Sequence, residues 1–200
     1  MIKAVIFDLG NVIVPFDFKR AYARIQPLTK YTAAEIPARI RTTDLVTRFE
    51  TGRLGSEQFV QELTALLGLT MTYSEFTSMW SSIFLPGTLV PESVLASLAQ
   101  RYPLLVLSNT NPIHFEMVRA NYPELRYFGQ FVLSYEVGVG KPAAKIYQEA
   151  ISRAGCSAQE CFFTDDILIN VEAARRAGMD AVQFLSAAQL ETELNARALL

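Results

Sequence analysis

Five short stretches of the chain are apolar almost without a break: Ile2 to Phe7, Leu104 to Leu107, Phe131 to Leu133, Cys161 to Thr164 and Ala181 to Phe184. Such runs, rich in β-branched and aromatic residues, predict strands buried on both faces. The stretches between them carry helical signals. Pro142 to Ala154 places Ile146, Tyr147, Ala150 and Ile151 at helical spacing, with Pro142 suited to the first turn. Asn170 to Ala177 stops before Gly178, a C-terminal cap residue. Ser157-Ala158-Gln159-Glu160 has capping-box spacing and predicts a single turn; Ser186 to Gln189 has the same spacing and opens a final helix. Strands alternating with helices predict an α/β fold built on a parallel sheet.

Residues 16–86 break this alternation. They contain no strand pattern but several helix starts: Thr32-Ala33-Ala34-Glu35, Ser56 before Glu57, and Thr72-Tyr73-Ser74-Glu75. Glu62, Leu63, Leu66 and Leu67 fit an amphipathic helix. A helical insertion therefore follows the first strand. It is too long for a strand-to-strand crossover, and its natural place is above the carboxyl ends of the strands, as a lid. The organisation expected is a core from 1–15 and 87–200 with a helical cap over 16–86.

Composition narrows the function. The 200 residues include 18 basic and 20 acidic ones, a net charge of −2, which argues against a nucleic-acid or anionic-membrane partner. No apolar run approaches the ~20 residues of a membrane helix, and Asp8 comes too early for a signal peptide. Cys156 and Cys161 read as reduced thiols, and with a single distant His114 no Cys/His zinc site can be assembled. The expectation is a cytoplasmic globular protein.

In open parallel sheets, ligands bind where the strands end. Three of the predicted strands end in polar clusters: Asp8, Ser108-Asn109 and Asp165-Asp166. Three carboxylates gathered on one edge call for a cation, and an all-oxygen set suits Mg²⁺. The bland alternative makes Asp165 and Asp166 helix caps and Asp8 a turn residue. Lys141, read at the start of a helix against its dipole, makes sense beside an anion; the alternative is a solvated surface lysine. Ser108 and Asn109 offer a hydroxyl and amides to the same anion. No glycine pattern flanks Ser108 as a nucleophile elbow needs. A Ser-His-Asp triad would have to use His114, too near Ser108 in sequence. What is left is a carboxylate nucleophile, a divalent cation and a cradle for a tetrahedral anion, the parts of an aspartyl-phosphate mechanism.

Asp8-Leu9-Gly10-Asn11-Val12, Ser108-Asn109-Thr110-Asn111, Lys141-Pro142, and Asp165-Asp166 with Asn170 resemble the four ordered motifs of the haloacid dehalogenase-like hydrolase superfamily. Phe49-Glu50-x-Gly52-x-Leu54 resembles the cap signature of the branch that holds small sugar-phosphate phosphatases and the N-terminal phosphatase domain of some epoxide hydrolases. The resemblance implies a Rossmann-like core with a helical cap inserted after the first strand. It implies Asp8 as nucleophile and Mg²⁺ held by Asp8, the Gly10 carbonyl and Asp166, with Asp165 nearby. Ser108, Asn109, Asn11 and Lys141 would hold the phosphate, and Asn170 would support the metal loop. The substrate implied is a small phosphorylated metabolite. The chain departs from the usual pattern at Gly10, where most phosphatases of the superfamily carry a second aspartate as acid and base. Asp17, where the chain enters the cap, is the candidate replacement; its other reading is an N-cap. Two further functions fit the motifs less well: a catalytically weak binding protein, and a metal-independent dehalogenase.

Overall fold

The computed structural model describes every residue from Met1 to Leu200. In chain order the elements are β1 (Ala4–Phe7), α1 (Phe18–Ile25), α2 (Glu35–Arg41), α3 (Leu45–Glu50), α4 (Ser56–Leu67), α5 (Tyr73–Trp80), α6 (Glu92–Ala99), β2 (Leu104–Ser108) and α7 (Pro112–Asn121). Then follow β3 (Gln130–Leu133), α8 (Ser134–Val137), α9 (Ala144–Ala154), β4 (Cys161–Asp165), α10 (Leu168–Arg176), β5 (Asp180–Gln183) and α11 (Ala187–Ala196).

The strands form one sheet in the order β3-β2-β1-β4-β5, every pair parallel. Side chains alternate across a strand, and here both faces are dry. Val5, Phe7, Leu104, Val106 and Phe162 enter the core on one face; Ala4, Ile6, Leu105, Leu107 and Phe163 enter the core on the other. Each large apolar side chain buried this way contributes about 1.5–3 kcal/mol. That is why the strands read as continuous apolar runs. Their carboxyl ends all point to one edge, and the central position of β1 puts Asp8 in the middle of it.

The caps behave as their sequences predict. Thr72 and Glu75 close a capping box on α5, Ser157 and Glu160 close another before β4, and Ser186 accepts the Gln189 amide at the start of α11. One expectation is corrected. Pro142 does not occupy the first turn of α9: that helix begins at Ala144, and Lys141-Pro142 lies in the preceding turn. Backbone bonds from the Asn109 side chain hold Lys141 against the end of β2 instead.

Helices α1 to α5 pack round a separate core containing Phe49, Phe59, Leu63, Phe76 and Trp80, joined by Ile113 of α7. Phe59 stacks on Phe49 at 4.1 Å and meets Trp80 edge-on at 5.6 Å, and Trp80 stacks on His114 of α7 at 5.6 Å. The two chain segments that lead into and out of this helical layer run side by side. The Asp17 amide donates to the Ile83 carbonyl and the Leu85 amide to the Pro15 carbonyl, with Phe16 bridged to Phe84. No helix is long and apolar enough to cross a membrane.

Candidate active site

The site begins where β1 stops. The Asp8 amide still pairs with the Thr164 carbonyl, so its side chain is fixed at the sheet edge. The chain then turns tightly: the Ile13 and Val14 amides both donate to the Leu9 carbonyl. Asn11 adopts a left-handed conformation, φ 54°, which asparagine tolerates better than most residues. Its side-chain oxygen accepts the Phe16 amide at 3.2 Å, stapling the loop. At Gly10 a Cβ would come within 2.6 Å of the Phe16 ring. Phe16, itself wedged against Phe18 and Phe84, claims the space a side chain at position 10 would need.

Asp165, the last residue of β4, is fully buried. One of its oxygens accepts the Ile167 amide at 2.8 Å and the Asn170 side chain at 3.0 Å. The other accepts Lys141 Nζ at 2.5 Å. The same ammonium lies 2.7 Å from Asp8. Lys141 is buried, so the solvated-lysine reading does not apply, and its partners are two carboxylates rather than a helix end. The N-cap of α10 is Ile167, so neither aspartate is the N-cap residue; Asp165 holds the Ile167 amide with one oxygen and Lys141 with the other. Asn170 is held in turn by Tyr147, whose hydroxyl donates to its carbonyl at 2.9 Å.

Asp8, Asp165 and Asp166 offer carboxylate oxygens that lie within 4.8 Å of one another. Against these three negative charges stands one ammonium. Burial pushes the Asp8 carboxyl up to about 7 in spite of the lysine, and burial followed by Asp165 raises Asp166. Burial draws Lys141 down, but Asp8 and Asp165 outweigh it and the net direction is up. A dication fits this donor set: it would balance the surplus charge, and hard oxygen ligands are what Mg²⁺ prefers.

At the ends of β1 and β2 is a cavity of about 100 Å³ lined by Gly10, Phe16, Phe18, Glu50, Ser108, Asn109, Thr110 and His114 among others. A larger chamber of about 380 Å³ adjoins it and shares Phe18, Glu50 and His114; Tyr22, Arg41, Thr43, Thr47 and Trp80 complete much of its wall. His114 is buried and hydrogen-bonded through its ring to the Asn111 side chain and the Trp80 carbonyl. Burial lowers its pKa to about 4, so it is neutral.

Glu50 is the residue that sequence reasoning passed over. It ends α3, and the next turn is a Schellman motif: the Arg53 amide donates to the Arg48 carbonyl and the Gly52 amide to that of Phe49. Gly52, at φ 67°, lies so close to α8 that a Cβ would sit 2.1 Å from the Tyr135 carbonyl. The signal was in the Phe49-Glu50-x-Gly52 motif; its meaning depends on α8, which is remote in sequence. In the same helical layer, Asp17 caps α1 by accepting the Lys19 amide, Arg20 donates to the Ser82 carbonyl, and Arg48 pairs with Glu62. None of these three lines the cavity or the chamber.

An apolar parallel sheet whose carboxyl edge carries a buried aspartate–lysine pair and a magnesium-suited acidic cluster is the layout of a phosphoryl-transfer enzyme with a Rossmann-like core. Comparison with known proteins agrees. The model of the haloacid dehalogenase-like hydrolases matches residues 2–178. A D-ribitol-5-phosphate phosphatase from Bacteroides thetaiotaomicron is 30% identical over 97% of each chain, and a sesquiterpene phosphatase from Aspergillus oryzae is 25% identical over 88% of this chain and 87% of that one. Among solved structures, a family enzyme from Bacteroides thetaiotaomicron in complex with magnesium and inorganic phosphate superposes with a TM-score of 0.81, at 26% identity over 92% of this chain and 94% of that one. The chain belongs to the haloacid dehalogenase-like hydrolase family. It is a phosphomonoesterase with Mg²⁺ as cofactor.

Proposed function

We propose that the substrate is the phosphate monoester of a small polyhydroxylated metabolite, a sugar or polyol phosphate, and that the phosphoryl group passes through Asp8. The observation that carries this reading is the pairing of two spaces: a small cavity walled by Leu9 and Gly10, which follow Asp8, and by Ser108 and Asn109, and next to it a chamber with Arg41, Thr43, Thr47 and Tyr22 in its wall. The first suits a phosphoryl group. The second supplies hydroxyls, a guanidinium and aromatic faces for the organic part. The relative that acts on D-ribitol 5-phosphate supports the same class.

The Asp8 carboxylate attacks phosphorus and forms the acyl phosphate, which water then cleaves. Lys141, within hydrogen-bond reach of Asp8, offsets the negative charge of the transferring group. Asp165 and the Asn109 side chain fix Lys141 from its two ends. The Ser108 hydroxyl and the backbone around Asn109 hold phosphate oxygens, and Asn11 keeps the nucleophile loop closed round them. Asp8, the Gly10 carbonyl and Asp166 hold Mg²⁺, with Asp165 beside them and Asn170 supporting. When bound, the ion neutralises phosphate and carboxylate charge together. Residues 16–86 act as a cap on the core of 1–15 and 87–200, and the paired linkers at Phe16 and Phe84 are its neck. Two unbonded thiols with sulfurs 3.5 Å apart fit a reducing compartment such as the cytoplasm.

The test is phosphate release from a panel of sugar, polyol, aryl and terpenyl monophosphates, with Mg²⁺ and with excess EDTA. Polyol or sugar phosphates are expected to lead, and EDTA to stop turnover. A preference for the terpenyl ester would reassign the chamber. Chloride release from 2-chloropropionate without metal would reverse the reading altogether.

The metal set makes its own prediction. Asp166→Ala is expected to weaken Mg²⁺ binding, read by calorimetry, by more than the ~10–100-fold expected of Asn170→Ala. The reason is direct ligation against indirect support. Equal affinities in the two variants would remove Asp166 from the ligand set.

A further inference from the structure

We infer that Glu50, carried in from the helical layer, is the acid and base of the reaction, in place of the second aspartate that Gly10 cannot supply. The assignment rests on the phosphatase reading above and deepens it.

The geometry argues it from both sides. Position 10 is glycine, and the Phe16 ring crowds it, standing 2.6 Å from where a Cβ would be. The proton must come from another wall of the cavity. Among the residues that line it, only Glu50 and His114 carry an acidic or basic side chain. His114 is tied to Asn111 and the Trp80 carbonyl and stays neutral. Glu50 is different. The residue is half-buried, its carboxyl has no hydrogen-bond or ionic partner, and what burial it has pushes the carboxyl up to about 7. An unpaired carboxyl inside a cavity is costly unless something comes to meet it. It also belongs to both the cavity and the adjoining chamber, the boundary at which an ester oxygen joins the phosphoryl group to the organic part. Its position is held: Gly52 seats the end of α3 directly on the Tyr135 carbonyl of α8, so the carboxyl is delivered by backbone packing rather than by a free loop.

In the first step Asp8 oxygen bonds to phosphorus, the bond to the ester oxygen breaks, and the Glu50 carboxylic acid gives its proton to that oxygen, releasing the alcohol. In the second, water oxygen bonds to phosphorus, its proton goes to the Glu50 carboxylate, and the bond to Asp8 breaks. Phosphate leaves, Asp8 is a carboxylate again and Glu50 is protonated again. Ester plus water has become alcohol plus phosphate.

The experiment is Glu50→Gln, which keeps size and hydrogen bonding but cannot transfer a proton. It compares p-nitrophenyl phosphate, whose leaving oxygen needs no proton, with phenyl phosphate and the best polyol phosphate of the panel, whose leaving oxygens need one increasingly. In a single turnover at enzyme excess, alcohol release is expected to slow by about 10²–10⁴-fold for the polyol ester, less for phenyl phosphate and hardly at all for p-nitrophenyl phosphate, while breakdown of the phosphoenzyme, where Glu50 is the base, slows alike for all three. Melting at pH 8 should be unchanged or higher, since the amide carries no buried charge. Equal losses of single-turnover alcohol release on all three esters, with or without a lower melting temperature, would show a residue that only holds the cap. No loss on any ester would overturn the assignment while leaving the phosphatase reading intact. Wild-type protein that turns over none of the three would overturn both.

Discussion

Asp8→Asn is expected to reduce kcat by about 10⁴-fold or more, the scale on which a covalent nucleophile counts, while the protein stays folded. The substitution is isosteric. It leaves Lys141 paired with Asp165, and the Asp8 amide still bonds to the Thr164 carbonyl, so the loop after β1 keeps its anchor. It also removes a carboxylate whose burial is costly, as its raised pKa of about 7 records. Melting should therefore shift by only a few degrees, and phosphate should still protect the variant against heat. Steady-state turnover of the best polyol phosphate, alongside a melting curve, checks both halves. A folded variant with undiminished turnover would place the nucleophile elsewhere. Trapping with beryllium fluoride adds a direct readout: wild type should take it up in the presence of Mg²⁺, and Asp8→Asn should not.

Lys141→Ala is expected to damage stability and catalysis together. A reading of Lys141 as a cation set against a helix dipole would make its removal mildly stabilising. The fold reverses that sign. Lys141 is buried between Asp8 at 2.7 Å and Asp165 at 2.5 Å, and α9 starts beyond it. Its removal leaves two buried carboxylates facing one another with no cation, a loss of about 3–5 kcal/mol. For a protein of this length each kcal/mol lowers the melting temperature by roughly 2–4 °C. Part of the loss should return on adding Mg²⁺, which binds the folded carboxylate cluster and not the unfolded chain. Turnover in saturating Mg²⁺ should still fall about 10²–10³-fold, since the charge facing the transferring group is gone. Melting curves of wild type and variant, each with and without Mg²⁺, separate the two effects. A variant that melts like wild type without metal would mean the ammonium is not seated where Asp8 and Asp165 can use it.

Much of this was written locally. An apolar run that ends in Asp8, Ser108-Asn109 or Asp165-Asp166 names both a buried strand and the polar residues at its carboxyl end, because a strand buried on both faces carries few polar residues before its edge. Capping boxes at Thr72 and Ser157 are contained within four residues, so spacing alone predicts them. The parallel order of the sheet then brings Asp8, Asp165 and Asp166 together without further instruction. These are the parts the sequence by itself determined: the layered α/β class, the inserted helices, and the carboxylate edge.

Tertiary packing decided the rest, where a residue's role depends on a partner far away in the chain. Nothing around Pro142 says that α9 waits until Ala144; the turn before it is tied through the Lys141 backbone to the Asn109 side chain at the end of β2. Asp17 and Glu50 are both acidic residues of the helical layer. Only the packing of that layer leaves the first capping α1 and brings the second to the cavity. The vacancy at Gly10 has the same origin, since what fills it is the ring of Phe16, locked by Phe18 and Phe84. Periodicity tells which face of an element is buried. Which element covers that face, and which carboxyl it carries there, is fixed by contacts such as that between Gly52 and Tyr135, whose energy exists only once the chain has folded.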